Sequence, residues 1–372
     1  MQLEFRRLRE SDLDAWRDFT DTCYYPGHIL TDIEHLRWYL GGPSHNPGEP
    51  YETLVAVDKD DRIVGNYGVL PMSLWVNGRL YPFCWFINAM VRPELRNQGI
   101  GKKFIDLLLD RFEICGGLGF NHDVKRNYAR FGFEFFGERS LRRFILPLSS
   151  SAYDLVEAIG FDRIKAEALV PLSTPMLPQA TNAVPIARFD NGVEACTGPD
   201  AIKSRVYVER SADYLNWRYI RNPRVHYECR AVLDQGRWLG YLAARRERYL
   251  PTKHHATRIL DLVGEPNSAE HLLKDSILRA HNRGDVMIEF LFTGRKYETL
   301  LMDLGFAELC GQAFEWWPQV TTPIQPRPNH EILCLGSRRH PGLFREMPYE
   351  DLYITRGDSD RDRANRLKAE QK

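Results

Sequence analysis

The sequence predicts an α/β (α+β) protein with mixed sheets, arranged as two successive units. Three observations predict it. Strand-like runs alternate with one-face amphipathic stretches along most of the chain. A glycine pair, Gly99 and Gly101, sits where a strand-like run (Trp85 to Arg92) gives way to an amphipathic one (Gly99 to about Phe112). The order strand, helix, strand, helix, Gly-Phe occurs twice, ending at Gly132-Phe133 and again at Gly305-Phe306, which reads as an internal duplication.

The first unit opens with a strand over Leu3 to Leu8. Ser11-Asp-Leu-Asp14 is a helix start, and the early helices run to about Leu40. Strands follow at Thr53 to Val57 and Arg62 to Val76, joined by Asp58-Lys-Asp-Asp61. Asn77-Gly78 is a hairpin signal into a strand over Leu80 to Val91. The next helix carries Ile100, Phe104, Leu107, Leu108 and Phe112 on one face. Ile114 to Phe120 is a glycine-rich strand, a helix around Tyr128 follows, and a final strand lies near Leu141 to Leu146. Prolines 147, 171, 175, 178 and 185 mark a linker, with a helix possible over Tyr153 to Ala168. The second unit repeats the pattern with a helix at Ser211 to Tyr219. Strands follow at Glu228 to Asp234, Trp238 to Arg245 and Thr257 to Val263. A helix at Ser268 to His281, a strand at Val286 to Phe292 and a helix at Tyr297 to Leu304 complete it. The expected boundaries are 1–146, a linker over 147–190, a second unit over 191–325 and an extension over 326–372. Trp316-Trp317 reads as core or interface, and Asp358-Ser-Asp-Arg-Asp362 as a solvated acidic tail.

The chain has 372 residues, 43% hydrophobic and 27% charged, enough for two cores. Lysine plus arginine (50) equals aspartate plus glutamate (50), which gives no basic excess for general nucleic-acid or membrane binding. Seven scattered cysteines without a C-x-x-C pair argue against a disulfide framework or a metal site, and with no membrane-length apolar run they suggest a cytoplasmic protein.

The segment Arg96-Asn-Gln-Gly-Ile-Gly101 is built like a phosphate-binding loop. Glycines let backbone approach a ligand closely, and first-turn amides with the positive end of the helix dipole attract an anion. Arg96 and Lys102 add cations. Together with Asn121, Tyr128-Ala-Arg-Phe-Gly132-Phe133 and the entry Met90-Val91-Arg92-Pro93-Glu94-Leu95, this loop resembles the GNAT superfamily of acyl-CoA-dependent N-acyltransferases over about residues 50 to 140. The fold is then two tandem GNAT-like domains, the second degenerate.

The resemblance implies an acyl-CoA co-substrate, acetyl-CoA or a short hydroxyacyl-CoA, and no metal. Met90 and Val91 would hold the pantetheine, and Gln98, Gly99, Ile100, Gly101 and Lys102 the pyrophosphate, with Arg96 beside them. Asn121 would contact the pantetheine arm. Tyr128 is the candidate general acid, a phenol that stays neutral at pH 7 and can protonate a departing thiolate. His122 is the candidate base, since imidazole titrates near neutrality; ordered water is the alternative. Tyr24, Tyr25, His28 and Asn88 are candidate acceptor contacts. In the second unit Val263 is followed by Gly-Glu-Pro-Asn, without Gly-x-Gly, and Leu301 stands where the first has Tyr128. That unit is expected neither to bind coenzyme A nor to protonate a leaving group.

The expected partner is a small-molecule amine, without nucleic acid or membrane, in a monomer or homodimer. The layout is similar to tandem GNAT proteins that modify amino sugars for surface polysaccharides, which implies a nucleotide-linked amino sugar. Two alternatives are an aminoacyl-tRNA-dependent transferase, which predicts a degenerate loop and a basic groove, and a non-catalytic acyl-CoA sensor.

Overall fold

The Asn77-Gly78 hairpin organises the first half. Both residues take left-handed backbone (φ 51° and 75°), the turn geometry that matches strand twist, and join the two longest strands. The computed structural model describes residues 2–23, 27–120, 122–172, 181–249, 252–317 and 331–362.

The chain begins β1 (Glu4–Arg7), α1 (Leu13–Cys23), α2 (Ile33–Gly41), β2 (Leu54–Val57), β3 (Ile63–Val76) and β4 (Arg79–Val91). Next come α3 (Ile100–Arg111), β5 (Ile114–Leu118), α4 (His122–Arg130), β6 (Glu134–Phe135) and β7 (Arg142–Pro147). The predicted helix over Tyr153 to Ala168 is two short ones, α5 (Asp154–Glu157) and α6 (Arg163–Leu169), parted at Gly160 (φ 83°). Then follow β8 (Ala183–Pro185), α7 (Glu194–Thr197), α8 (Pro199–Ile202), β9 (Val206–Val208) and α9 (Ala212–Leu215). The rest is β10 (Glu228–Asp234), β11 (Arg237–Arg248), β12 (His255–Gly264), α10 (Pro266–Asn282), β13 (Met287–Phe292), α11 (Glu298–Asp303), β14 (Ala307–Glu308), α12 (Gly311–Trp316), β15 (Leu333–Gly336) and β16 (Leu352–Tyr353).

Two mixed sheets form. The first runs β1-β2-β3-β4-β5-β15-β6, with β9 on the far end of β3 and β16 on β9; the second runs β14-β7-β13-β12-β11-β10-β8. The halves exchange strands. The strand at 142–147, expected to complete the first unit, pairs antiparallel with β13 in the second sheet instead. In return β15 lies between β5 and β6 of the first sheet. Sequence periodicity specifies a strand's buried faces, not which sheet edge it joins.

Two parallel pairs open in the same way. β4 and β5 pair over Phe83–Phe86 and Ile114–Gly117, and β12 and β13 over Thr257–Ile259 and Ile288–Phe290. Beyond these registers the strands part. The helices that follow close alike: the Phe133 amide donates to the Tyr128 carbonyl (3.3 Å), and the Phe306 amide to the Leu301 carbonyl (3.0 Å).

In the second half the opening is filled by the chain itself. Thr355 bridges Phe292, and the Thr293 amide donates to the Ile354 carbonyl. Gly357 lies so close to the Leu260 carbonyl that an added Cβ would stand 2.7 Å from it. The Tyr353 hydroxyl donates to Leu262 and the Tyr297 hydroxyl to Gly264 (2.9 Å), sealing the strand edge.

The acidic segment is therefore not a solvated tail. Asp358, Asp360 and Asp362 are buried. Asp358 pairs with Arg210 (2.8 Å), which also grips Asp261 (3.0 Å). Asp362 accepts from Arg258 (2.8 Å) and from the Tyr227 hydroxyl (2.7 Å), while Arg218 donates to the carbonyls of Gly357 and Ser359. The charges were read as solvated because their arginine partners lie more than a hundred residues away in sequence.

Candidate active site

The site is built on a bulge in β4. Asn66 registers with Met90 and Gly68 with Ile87, so Asn88 and Ala89 together oppose Tyr67, one extra residue on the β4 side. Asn88 takes φ 45° there, a backbone that asparagine tolerates better than most side chains. Gly68 makes the approach possible, because a Cβ would lie 2.6 Å from the Ile87 carbonyl oxygen. The bulge bends β4 just past its last pairing with β5 and leaves Ala89, Met90 and Val91 along an opening.

That opening is a cleft of about 690 Å³. One wall is α3, whose buried stripe of Ile100, Phe104, Ile105, Leu108 and Leu109 packs it against the sheet. Its N-cap, Gly99, is left-handed (φ 82°) and supplies no side-chain cap, so first-turn amides remain for a ligand. An added Cβ at Gly99 or Gly101 would meet nothing within 4 Å; the glycines leave space rather than relieve a clash. Arg96, Lys102 and Arg130 line the cleft, and no acidic residue does among the described ones. Three cations around an uncapped helix N-terminus suit a polyphosphate. The residues present therefore fit the diphosphate of an acyl-CoA.

Asn66, Tyr67, Met90 and Tyr128, all buried, also line the cleft. The Tyr128 and Tyr67 hydroxyls are 2.8 Å apart, and either can donate. Burial pushes both phenols above their ordinary value. The Tyr128 ring stacks near Phe133 (5.1 Å between centroids) and edge-on to Phe120 (5.1 Å). Gly117 admits it: a Cβ there would lie 3.1 Å from the ring.

Of the residues expected from sequence, the cleft brings together Met90, Val91, Arg96, Gly99, Ile100, Gly101, Lys102 and Tyr128. Gln98 is not among its lining residues and reaches the Glu94 carbonyl at 3.5 Å, while the neighbouring Asn97 does line it. Asn88 shapes the bulge and donates to the Tyr39 hydroxyl (3.3 Å). His28 is buried and accepts from the Leu30 amide through Nδ1 (3.1 Å), capping the start of the short turn Ile29–Thr31, and is not among the lining residues. Tyr24, Tyr25 and Asn121 lie outside the described residues, and of His122 only its place at the start of α4 is described. Sequence reasoning missed Tyr67, Asn66, Asn127 and Arg130. Arg130 was within reach, since it follows Tyr128 by two positions on a basic helix.

Residues 4–136 match the family described as an acetyltransferase (GNAT) domain. No curated protein matches the sequence. Solved structures share the fold over nearly the whole chain. A GCN5-related N-acetyltransferase from Anabaena variabilis aligns with a TM-score of 0.56 at 15% identity, covering 90% of this chain and 72% of that one. A probable N-acyltransferase from Enterococcus faecalis gives 0.56 at 12% identity, covering 93% and 75%. An N-myristoyltransferase from Saccharomyces cerevisiae, solved with bound myristoyl-CoA, gives 0.54 at 12% identity, covering 92% and 80%. The family match covers the residues that build the cationic, glycine-lined cleft, so residues 4–136 form a GNAT acetyltransferase domain.

Proposed function

We propose that the first half transfers a short acyl group, acetyl or hydroxyacyl, from coenzyme A to a primary amine by direct attack in a ternary complex. The observation that carries this reading is a single cleft lined both by an uncapped, cation-flanked helix N-terminus and by the buried Tyr128. The diphosphate would lie on the amides of Gly99 to Lys102, between Arg96 and Arg130. The pantetheine would follow Ala89 to Val91 along the bulge. A short acyl group is the reading carried over from the sequence.

The amine nitrogen attacks the thioester carbonyl, the C–S bond breaks, and sulfur leaves with the electron pair. Tyr128 gives its hydroxyl proton to that sulfur. The attacking nitrogen loses a proton to His122 or to ordered water. Polarisation of the carbonyl falls to backbone amides of the bulged strand.

The second half acts in this reading as a degenerate copy that shapes the acceptor side. The stacked Trp38 and Trp217 support such a role: each indole N–H donates to the other's backbone carbonyl (2.9 and 3.0 Å), tying α2 to the second half. The acceptor is a small polar amine, a nucleotide-linked amino sugar before others, taken up by a monomer or homodimer.

Calorimetric titration with acetyl-CoA, coenzyme A and a short hydroxyacyl-CoA tests the reading. Binding is expected in the wild type and is expected to vanish in Gly101→Glu, whose side chain enters open space and so leaves the fold intact. No binding by the wild type would sink the proposal.

A further inference from the structure

Tyr128 does not act alone in the cleft. Tyr67, on the bulge-facing strand, presents the only hydroxyl that any described hydrogen bond brings to Tyr128, at 2.8 Å. Both rings line the cleft and both are buried. Tyr67 is fixed where the bulge puts two residues of β4 opposite one of β3, and its ring is held edge-on against Phe86 (5.1 Å) and tilted on Phe104 (6.0 Å). Packing alone accounts for the rings. The hydroxyls satisfy each other in a pocket where an unpaired one would be costly, and that pairing puts a second O–H on the oxygen of the candidate acid.

We propose that Tyr67 is a positioning residue for leaving-group protonation, its hydroxyl donating to the Tyr128 oxygen as Tyr128 hands its own proton to the departing coenzyme A sulfur. The inference rests on the acyl-CoA reading above. The balance is simple. The C–S bond breaks and the electron pair goes to sulfur. The Tyr128 O–H bond breaks and an S–H bond forms. The charge left on the Tyr128 oxygen is met by the Tyr67 O–H, which remains bonded to its own oxygen. The proton released by the acylated nitrogen later restores Tyr128 through solvent. Without Tyr67, that charge would develop in a buried pocket stripped of the one hydroxyl that the described hydrogen bonds bring to it.

The test needs no acceptor. The thiol of bound coenzyme A is titrated by its thiolate ultraviolet absorbance, in the wild type, Tyr67→Phe, Tyr128→Phe and the double variant, with binding followed by calorimetry. The pair should let bound coenzyme A ionise at lower pH than free coenzyme A. Tyr67→Phe should raise that ionisation pH while coenzyme A affinity changes less than about threefold. Tyr128→Phe should raise it further, and Tyr67→Phe should add nothing in the Tyr128→Phe background, the non-additivity of two groups acting as one. Phe86→Leu keeps both hydroxyls while loosening the packing of both rings, so it should lower the melting temperature and leave the ionisation where it was. An unaltered ionisation in Tyr67→Phe, additive effects of the two tyrosines, or an equal shift in Phe86→Leu would overturn the inference with coenzyme A binding intact. Absence of binding by the wild type would remove the acyl-CoA reading and this inference with it.

Discussion

Tyr128 has separate supports for its ring and its hydroxyl. Phe120, Phe133 and the bare backbone of Gly117 hold the ring, and Tyr67 meets the oxygen. Removing the oxygen alone should therefore leave the shape. Tyr128→Phe is expected to bind acyl-CoA as the wild type does and to lose about 10²–10⁴-fold in turnover, the usual contribution of a positioned acid. Unchanged turnover would make the tyrosine structural and favour a sensor. Tyr128 stood out as a candidate in the sequence through the family resemblance, because its spacing to Gly132-Phe133 matches the motif. Tyr67 did not. It sits in a largely buried strand, where a tyrosine reads as core, and only the bulge across from it brings it to the candidate site.

At the scale of elements, α3 and the 352–362 segment make opposite use of similar openings. The first opening is left free and lined with cations; the second is filled with Tyr353, Thr355 and Gly357 and locked by buried ion pairs. Against the cost of burial, Arg245, Arg258 and Arg218 hold Asp362 well below the usual carboxylate range. Removing it leaves arginines buried with less compensation, so Asp362→Ala should destabilise by about 3–5 kcal/mol, measurable in urea.

Asp358 shifts the other way. Burial raises it to about 6, against the pull of Arg210 and with the repulsion of Asp261. Between about pH 4, where an unfolded aspartate ionises, and about pH 6, the folded state holds a proton that the unfolded state has lost. Stability from this group is therefore full below that window and falls as pH rises through it. Asp358→Asn cannot lose that proton. Melting temperatures of wild type and variant should diverge from pH 4 to pH 6 in the variant's favour; a difference that does not vary with pH would refute the assignment. The loop before α3 could be read in advance because its glycines, cations and helix start are neighbours in sequence. The plug in the second half could not, because its partners come from β9, β11, β12 and the residues between.

Over the whole molecule, the strand exchange makes the halves depend on each other. A fragment of residues 1–146 lacks β15, which separates β5 from β6, and leaves β7 without β13. It should show no cooperative melting by circular dichroism, and co-expression with 147–372 should restore it. Independent folding of the fragment would show the exchange to be dispensable. What the sequence by itself determined is local: element order, the hairpin at Asn77-Gly78, the glycine-and-cation loop before α3 and its absence from the second half. Each depends on backbone preference or hydrophobic period within a short window, while Tyr128 as candidate acid came from the resemblance of an equally local motif. Only the tertiary structure decided which sheet took β7 and β15, that an acidic segment would be a buried plug, and that Tyr67 would meet Tyr128. Those outcomes depend on edge pairing and on charge partners far apart in the chain, and the energies that select them exist only once the sheets have come together.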